Sequence, residues 1–105
     1  MNQLVLSARI AEASSLRYTP AGLPALDFSL EHESEVQEAG QPRQAKVAIR
    51  AVAFGSLAET LGKQAIGSSW KFTGFLATPR NGKHPVFHIQ SFIQEVPHGH
   101  VQEIQ

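Results

Sequence analysis

From Leu26 to Glu31 the chain alternates strictly: Leu26, Phe28 and Leu30 are apolar, while Asp27, Ser29 and Glu31 are polar. A strand turns successive side chains to opposite faces, so a period of two gives one face to a core and the other to water. The pattern recurs along the chain. Residues 4–11 set Leu4, Leu6, Ala8 and Ile10 against Val5, Ser7, Arg9 and Ala11. Residues 45–54 put Val47, Ile49, Ala51 and Ala53 on one face, residues 69–78 do so with Trp70, Phe72 and Leu76, and residues 85–96 make a fifth run. With 25–34 as the second, five strands are expected.

The spaces between them are punctuated. Pro20, Gly22 and Pro24 forbid regular structure in residues 14–24. Residues 35–44, with Gly40 and Pro42, read as a polar loop, and residues 78–84 as another, with Pro79 and Asn81-Gly82. Gly74 interrupts the fourth run, as glycine does at a bulge or a tight bend of a barrel. "GSLAETLGK" (55–63) is helical: Ser56 and Glu59 form a capping box, Leu57 and Leu61 share a face, and Gly62 ends the helix in the left-handed conformation. Three strands, one short helix and two strands is the order of an all-β, five-stranded OB-fold barrel with the helix between strands three and four. A flattened sandwich without closure is the rival.

The 105 residues suit one domain, 1–105, with 97–105 as a frayed tail. Hydrophobic content of 42% and charged content of 17% exclude a disordered chain. The absence of cysteine excludes disulfides and thiolate metal sites. Met1-Asn2-Gln3 and the brief Leu4-Val5-Leu6 run resemble neither a signal peptide nor a membrane span, so no membrane partner and a cytoplasmic location are expected.

Catalytic and nucleotide chemistry find no support. Six residues separate Gly55 from Gly62-Lys63, where a phosphate loop needs four. Gly55-Ser56-Leu57 lacks the second glycine of a nucleophile elbow. Among His84, His88, His98 and His100 no acid or cysteine shares a zinc-binding spacing, so they read as exposed histidines, with His88 half-burying its ring in a strand. No enzyme and no cofactor is expected. Glu31, Glu33 and Glu35 lie on one solvated strand face.

The net charge of zero conceals an asymmetry. Residues 12–38 hold six acids and one base, Arg17; residues 39–83 hold seven bases and one acid, Glu59. On an OB-fold the second and third strands, with the first and last loops, form an oligonucleotide groove. Lys46 and Arg50 share the outward face of the third strand, Arg17 and Tyr18 lie in the first turn, and Arg80 and Lys83 lie in the last loop. Cations track phosphates while an aromatic such as Tyr18 stacks a base. Trp70, Phe72 and Phe75 read as core, since only one of them can face outward in this register.

"NQLVLSARI" at the start, "LRYTPAGLPALDFSLEHES" (16–34), "QEAGQPRQA" (37–45) and "GFLA" (74–77) carry a resemblance spanning nearly the whole chain. In them the chain resembles the primosomal replication protein N family, small OB-fold relatives of bacterial single-stranded-DNA-binding protein. The resemblance implies a homodimer that binds single-stranded DNA, docks on the primosomal helicase at stalled forks and passes the complex to a later primosome loading factor. It also implies DNA contacts at Arg17, Tyr18, Arg43, Lys46, Arg80 and Lys83. The chain departs from some relatives in carrying Lys46 where they carry a stacking tryptophan, and Glu33 where they carry a base. A second reading is a protein-interaction adaptor that stimulates the helicase with little DNA affinity of its own.

Overall fold

The structure, a computed structural model, describes residues 1–95; the expected tail at 97–105, with His98 and His100, and the end of the fifth run lie outside the described residues. In chain order the elements are β1 (Leu4–Ala13), β2 (Arg17–Tyr18), β3 (Pro24–Glu38), β4 (Gln41–Phe54), α1 (Ser56–Leu61), β5 (Ser69–Ala77) and β6 (Val86–Gln94).

Closure depends on β1 serving two neighbours. Leu4–Arg9 pair with β5; β3 is taken up at Arg9 and Ile10, opposite Glu31 and Leu30, and after a bulge between Ile10 and Glu12 the strand runs on beside β3, ending at Ala13 opposite Phe28. The bulge supplies the bend that one strand needs to belong to two walls. β5 pairs with β6, β6 runs parallel to β4 at Ala51–Phe87 and Val52–His88, and β4 pairs with β3. The ring β1-β5-β6-β4-β3 returns to β1, which is the expected OB-fold barrel and not an open sandwich. Its interior is the apolar set of the alternation: Ile10, Leu30, Phe72 and Phe87 are fully buried, and Ala58 and Leu61 of α1 pack onto the same core.

Gly74 behaves as expected. The β5–β6 register shifts between Thr73 and Gly74, and a Cβ there would meet the His88 carbonyl oxygen at 1.8 Å. Two loops turn out to contain strand. Arg17 and Tyr18 pair with Ala25 and Pro24, so the proline-rich turn carries the short β2. Residues 35–44 are the tip of a long hairpin ribbon. Ala39 and Gly40 both take positive φ, 54° and 78°, which is the two-residue turn that matches strand twist. Pro42 sits opposite Gln37, one pair beyond the closing pair Glu38–Gln41. Cross-strand bonds alternate, so its missing N–H falls where none is made.

The helix also differs at both ends. Gly55 is the N-cap and no side chain caps the helix, so Ser56 is its first residue and the capping box does not form. Gly55 N–H is tied to the Pro24 carbonyl at 2.8 Å, which holds the chain at the strand exit and fixes where the helix starts. Gly62 has φ −66°, not a left-handed value. It is glycine for space, since a Cβ would lie 2.8 Å from Leu26 Cδ2.

Candidate nucleic-acid interface

The alternation that builds the barrel also builds its outer face. On β3 the outward residues are Asp27, Ser29, Glu31 and Glu33; facing them across the ladder on β4 stand Val52, Arg50, Ala48 and Lys46. A groove of about 930 Å³ crosses one end of this face, between the end of β1 and the turn before β2 on one side and the β5–β6 loop on the other. Arg17, Arg50 and Lys83 line it, as do Glu12 and Asp27.

Of the seven residues expected to contact DNA, the groove therefore gathers three. Arg17 is engaged there by Asp27, with Nε donating to Oδ2 at 2.9 Å and Nη2 to Oδ1 at 3.1 Å. That hydrogen bonding raises Arg17 above its ordinary value, with desolvation opposing and the charge of Asp27 adding to it. Arg50 faces Ser29, an uncharged partner, and neither it nor Lys83 has a carboxylate within 4.0 Å among the described residues. Tyr18 is 64% exposed beside Arg17 and outside the groove lining, and Arg80 is exposed on the loop.

The other two lie elsewhere. Lys46 shares the outward face of Arg50, but four residues of strand carry it about 13 Å away. It borders a smaller hollow with Arg9 and Glu31, and Glu33 lies 3.7 Å from its Nζ. Arg43 is an odd number of residues from both, so it points to the opposite face of the ribbon, with Glu38 3.7 Å from its Nε. Where the acid-rich and base-rich segments adjoin, as β3 and β4 of the ribbon, Arg43 and Lys46 are thus each met by an acid of the neighbouring strand.

An aromatic row joins the groove. Phe75 of β5, His88 of β6 and Phe54 of β4 lie across adjacent strands. The ring centres of Phe75 and His88 are 4.8 Å apart at 13°, and those of His88 and Phe54 are 6.0 Å apart at 29°. Phe54 is 39% exposed, and Phe54 and His88 line the groove. Neither is among the contacts expected from the sequence, although the period-two count puts Phe54 on the face of Arg50 and turns His88 outward between the inward Phe87 and Ile89. Phe75 is the outward member of its trio. Phe72 is core, and Trp70 is half-buried, edge-on to Phe92 at 5.1 Å.

Three comparisons bear on this surface. A model described as another single-strand binding protein family matches residues 2–91. The chain is 50% identical over 91 residues to the replication restart protein PriB of Bordetella pertussis, covering 86% of this chain and 85% of that one. A solved structure of PriB from Ralstonia solanacearum is 35% identical and superposes with a TM-score of 0.83 over 91% of this chain and 99% of the other. The single-stranded DNA binding protein of Thermus aquaticus, 23% identical over 94% of this chain and 52% of its own, shares the fold with a TM-score of 0.73.

Proposed function

Because the chain belongs to the single-strand binding protein family and, within it, to the PriB replication restart proteins, we propose that it binds single-stranded DNA at stalled forks as an accessory of replication restart. The observation that carries this reading is the groove that Arg50 and Lys83, with no carboxylate within 4.0 Å among the described residues, line together with the exposed Phe54 ring. Cations there would track phosphates while the ring takes a base, which is how single strands are held without sequence preference. Arg17 within it, and Tyr18 and Arg80 at its margins, are auxiliary contacts, and Arg43 and Lys46, each facing a carboxylate on the ribbon, are the weakest of the seven. The test is fluorescence anisotropy with a labelled thymidine oligonucleotide at low and high salt. Binding that weakens steeply with salt supports the reading, and no binding at low salt overturns it.

In this role the protein docks on the primosomal helicase, hands the complex to a later loading factor and acts as a homodimer. The edge of β1 supports the last point. Leu4–Ser7 have β5 on one side, and among the described residues no strand pairs with them on the other. An open edge is a template for a second copy. At its inner end His32 Nδ1 donates to the Ser7 carbonyl at 2.5 Å, which caps the edge where β3 leaves it. A monomer by sedimentation at micromolar concentration would sink the dimer.

The adaptor reading has its own support. Arg17, Arg43 and Lys46 each face a carboxylate of the same chain, so fewer cations are left for phosphate than the sequence contains. It expects helicase stimulation on forked DNA to survive point mutations that abolish oligonucleotide affinity.

A further inference from the structure

His88 is the middle ring of the aromatic row and the only one that carries hydrogen-bonding groups. β6 lies between β5 and β4 in the sheet, so Phe75 flanks the imidazole on one side and Phe54 on the other. Rings at 13° and 29° to its plane cover its faces and leave its edges. Among the described residues no hydrogen bond engages either ring nitrogen, and neither is wholly buried without a partner, so each keeps some contact with solvent while the residue lines the groove. A histidine that merely filled the barrel wall would bury its edge or bond it to a carbonyl, as His32 does.

We propose that His88 is a DNA-contacting group whose protonated imidazole donates to a backbone phosphate, so that strand binding tightens as pH falls through the range in which imidazoles titrate. This rests on the DNA-binding reading above. The charges facing His88 decide the sign. On one side stand Arg50 of β4 with Lys83 and His84 of the β5–β6 loop. On the far side Asp27 of β3 is occupied by Arg17, and Glu12 of β1 is the remaining acid; no titratable side chain of β5 lines the groove. A phosphate placed between Arg50 and Lys83 brings an anion to the imidazole, so DNA binding and proton uptake favour each other.

The experiment is anisotropy with a thymidine oligonucleotide, whose bases do not titrate in this range, at pH 8.0 and pH 5.5 across a salt series. Wild type should bind about threefold to tenfold more tightly at the lower pH, with a salt slope steeper by about 0.7, one phosphate contact. His88→Gln and His88→Phe should each remove most of that difference while retaining binding at pH 8.0. His88→Phe keeps a stacked ring and guards against loss of fold. His84→Gln, which removes the other imidazole of the groove lining, should remove less of the difference than His88→Gln does. Wild-type affinity independent of pH, or a pH response that persists in His88→Phe, overturns the proposal while the DNA-binding reading stands. A wild type that binds at neither pH overturns both.

Discussion

Arg50 and Lys46 lie on one face of one strand, four residues apart, and meet opposite fates. Arg50 faces Ser29 across the ladder at the edge of a groove; Lys46 faces Glu33 on the ribbon. Both are bases of the same alternation, so neither strand nor face separates them. The cross-strand partner does. An exposed pair such as Lys46–Glu33 contributes little to stability, in the range of 0–1 kcal/mol. It does place a competing anion where a phosphate would go. The barrel end and the hairpin ribbon are therefore two chemically distinct regions: one offers cations and rings to a ligand, the other offsets its own charge.

The largest expected effect tests whether the groove rests on the barrel and not on the ribbon. Gly74→Val forces a side chain against the His88 carbonyl, which already lies 1.8 Å from where the Cβ would be. The β5–β6 bulge must open, at a cost of about 3 kcal/mol or more. The ribbon equivalent is Gly40→Ala, where φ is 78° but nothing lies within 4 Å, and about 1 kcal/mol is expected. Thermal unfolding of the two variants checks this, and equal losses would mean that the ribbon is as integral to the fold as the barrel.

Removing Arg50 and Lys83, which have no carboxylate within 4.0 Å among the described residues, comes next. Arg50→Ala with Lys83→Ala should flatten the salt slope by about 1.4 units, two phosphates at about 0.7 each. Over the decade from 1 M to 0.1 M salt this is roughly 1.4 log units of affinity lost. Arg43→Ala with Lys46→Ala removes the same formal charge from the ribbon and should change the slope by much less. Salt titration of the two double variants decides between the regions, and matching slopes would erase the distinction.

A smaller effect separates stacking from charge. Phe54→Ala should cost about 1 kcal/mol, the lower end for a base on an aromatic ring, because the side chain is partly covered by His88. The salt slope should not move, since stacking releases no counterions. Anisotropy at two salt concentrations reads both quantities, and a slope that fell with affinity would mean that the variant had displaced Arg50.

Much of this architecture is legible in the chain. The period of two names the inward residues Ile10, Leu30 and Phe72, and Gly74 announces the bulge. What misleads is punctuation read in isolation. Gly40 and Pro42 look like loop residues, yet Ala39-Gly40 is a hairpin turn and Pro42 stands where no cross-strand bond is needed. Ser56 looks like a cap because Glu59 follows three residues later, but the hydrogen bond from Gly55 to Pro24 belongs to tertiary structure and moves the start of the helix. The site was half visible for the same reason. Its cations can be listed from the sequence, but which carboxylate faces which base depends on the β3–β4 register. Moving the pairing by two residues along β4 would bring Arg50 opposite Glu31 and leave Lys46 opposite Glu35, so availability for phosphate is a property of register and not of composition.

The smallest predicted effect tests that last statement directly. Glu33→Gln keeps the size and hydrogen-bonding reach of the side chain, so Gln44 Nε2, which donates to Glu33 Oε2 at 2.8 Å, still finds an oxygen. Only the charge facing Lys46 is removed. If that charge withholds Lys46 from DNA, Glu33→Gln should tighten oligonucleotide binding slightly and steepen the salt slope by up to about 0.7, one phosphate gained. Two exposed, adjacent groups are being uncoupled, so the comparison must be made as a cycle. In a Lys46→Ala background the same substitution should lose most of its effect, because no cation is left to release. If Glu33→Gln strengthens binding equally with and without Lys46, the acid acts through general repulsion of the strand. The pairing across the ribbon then has no part in setting DNA affinity.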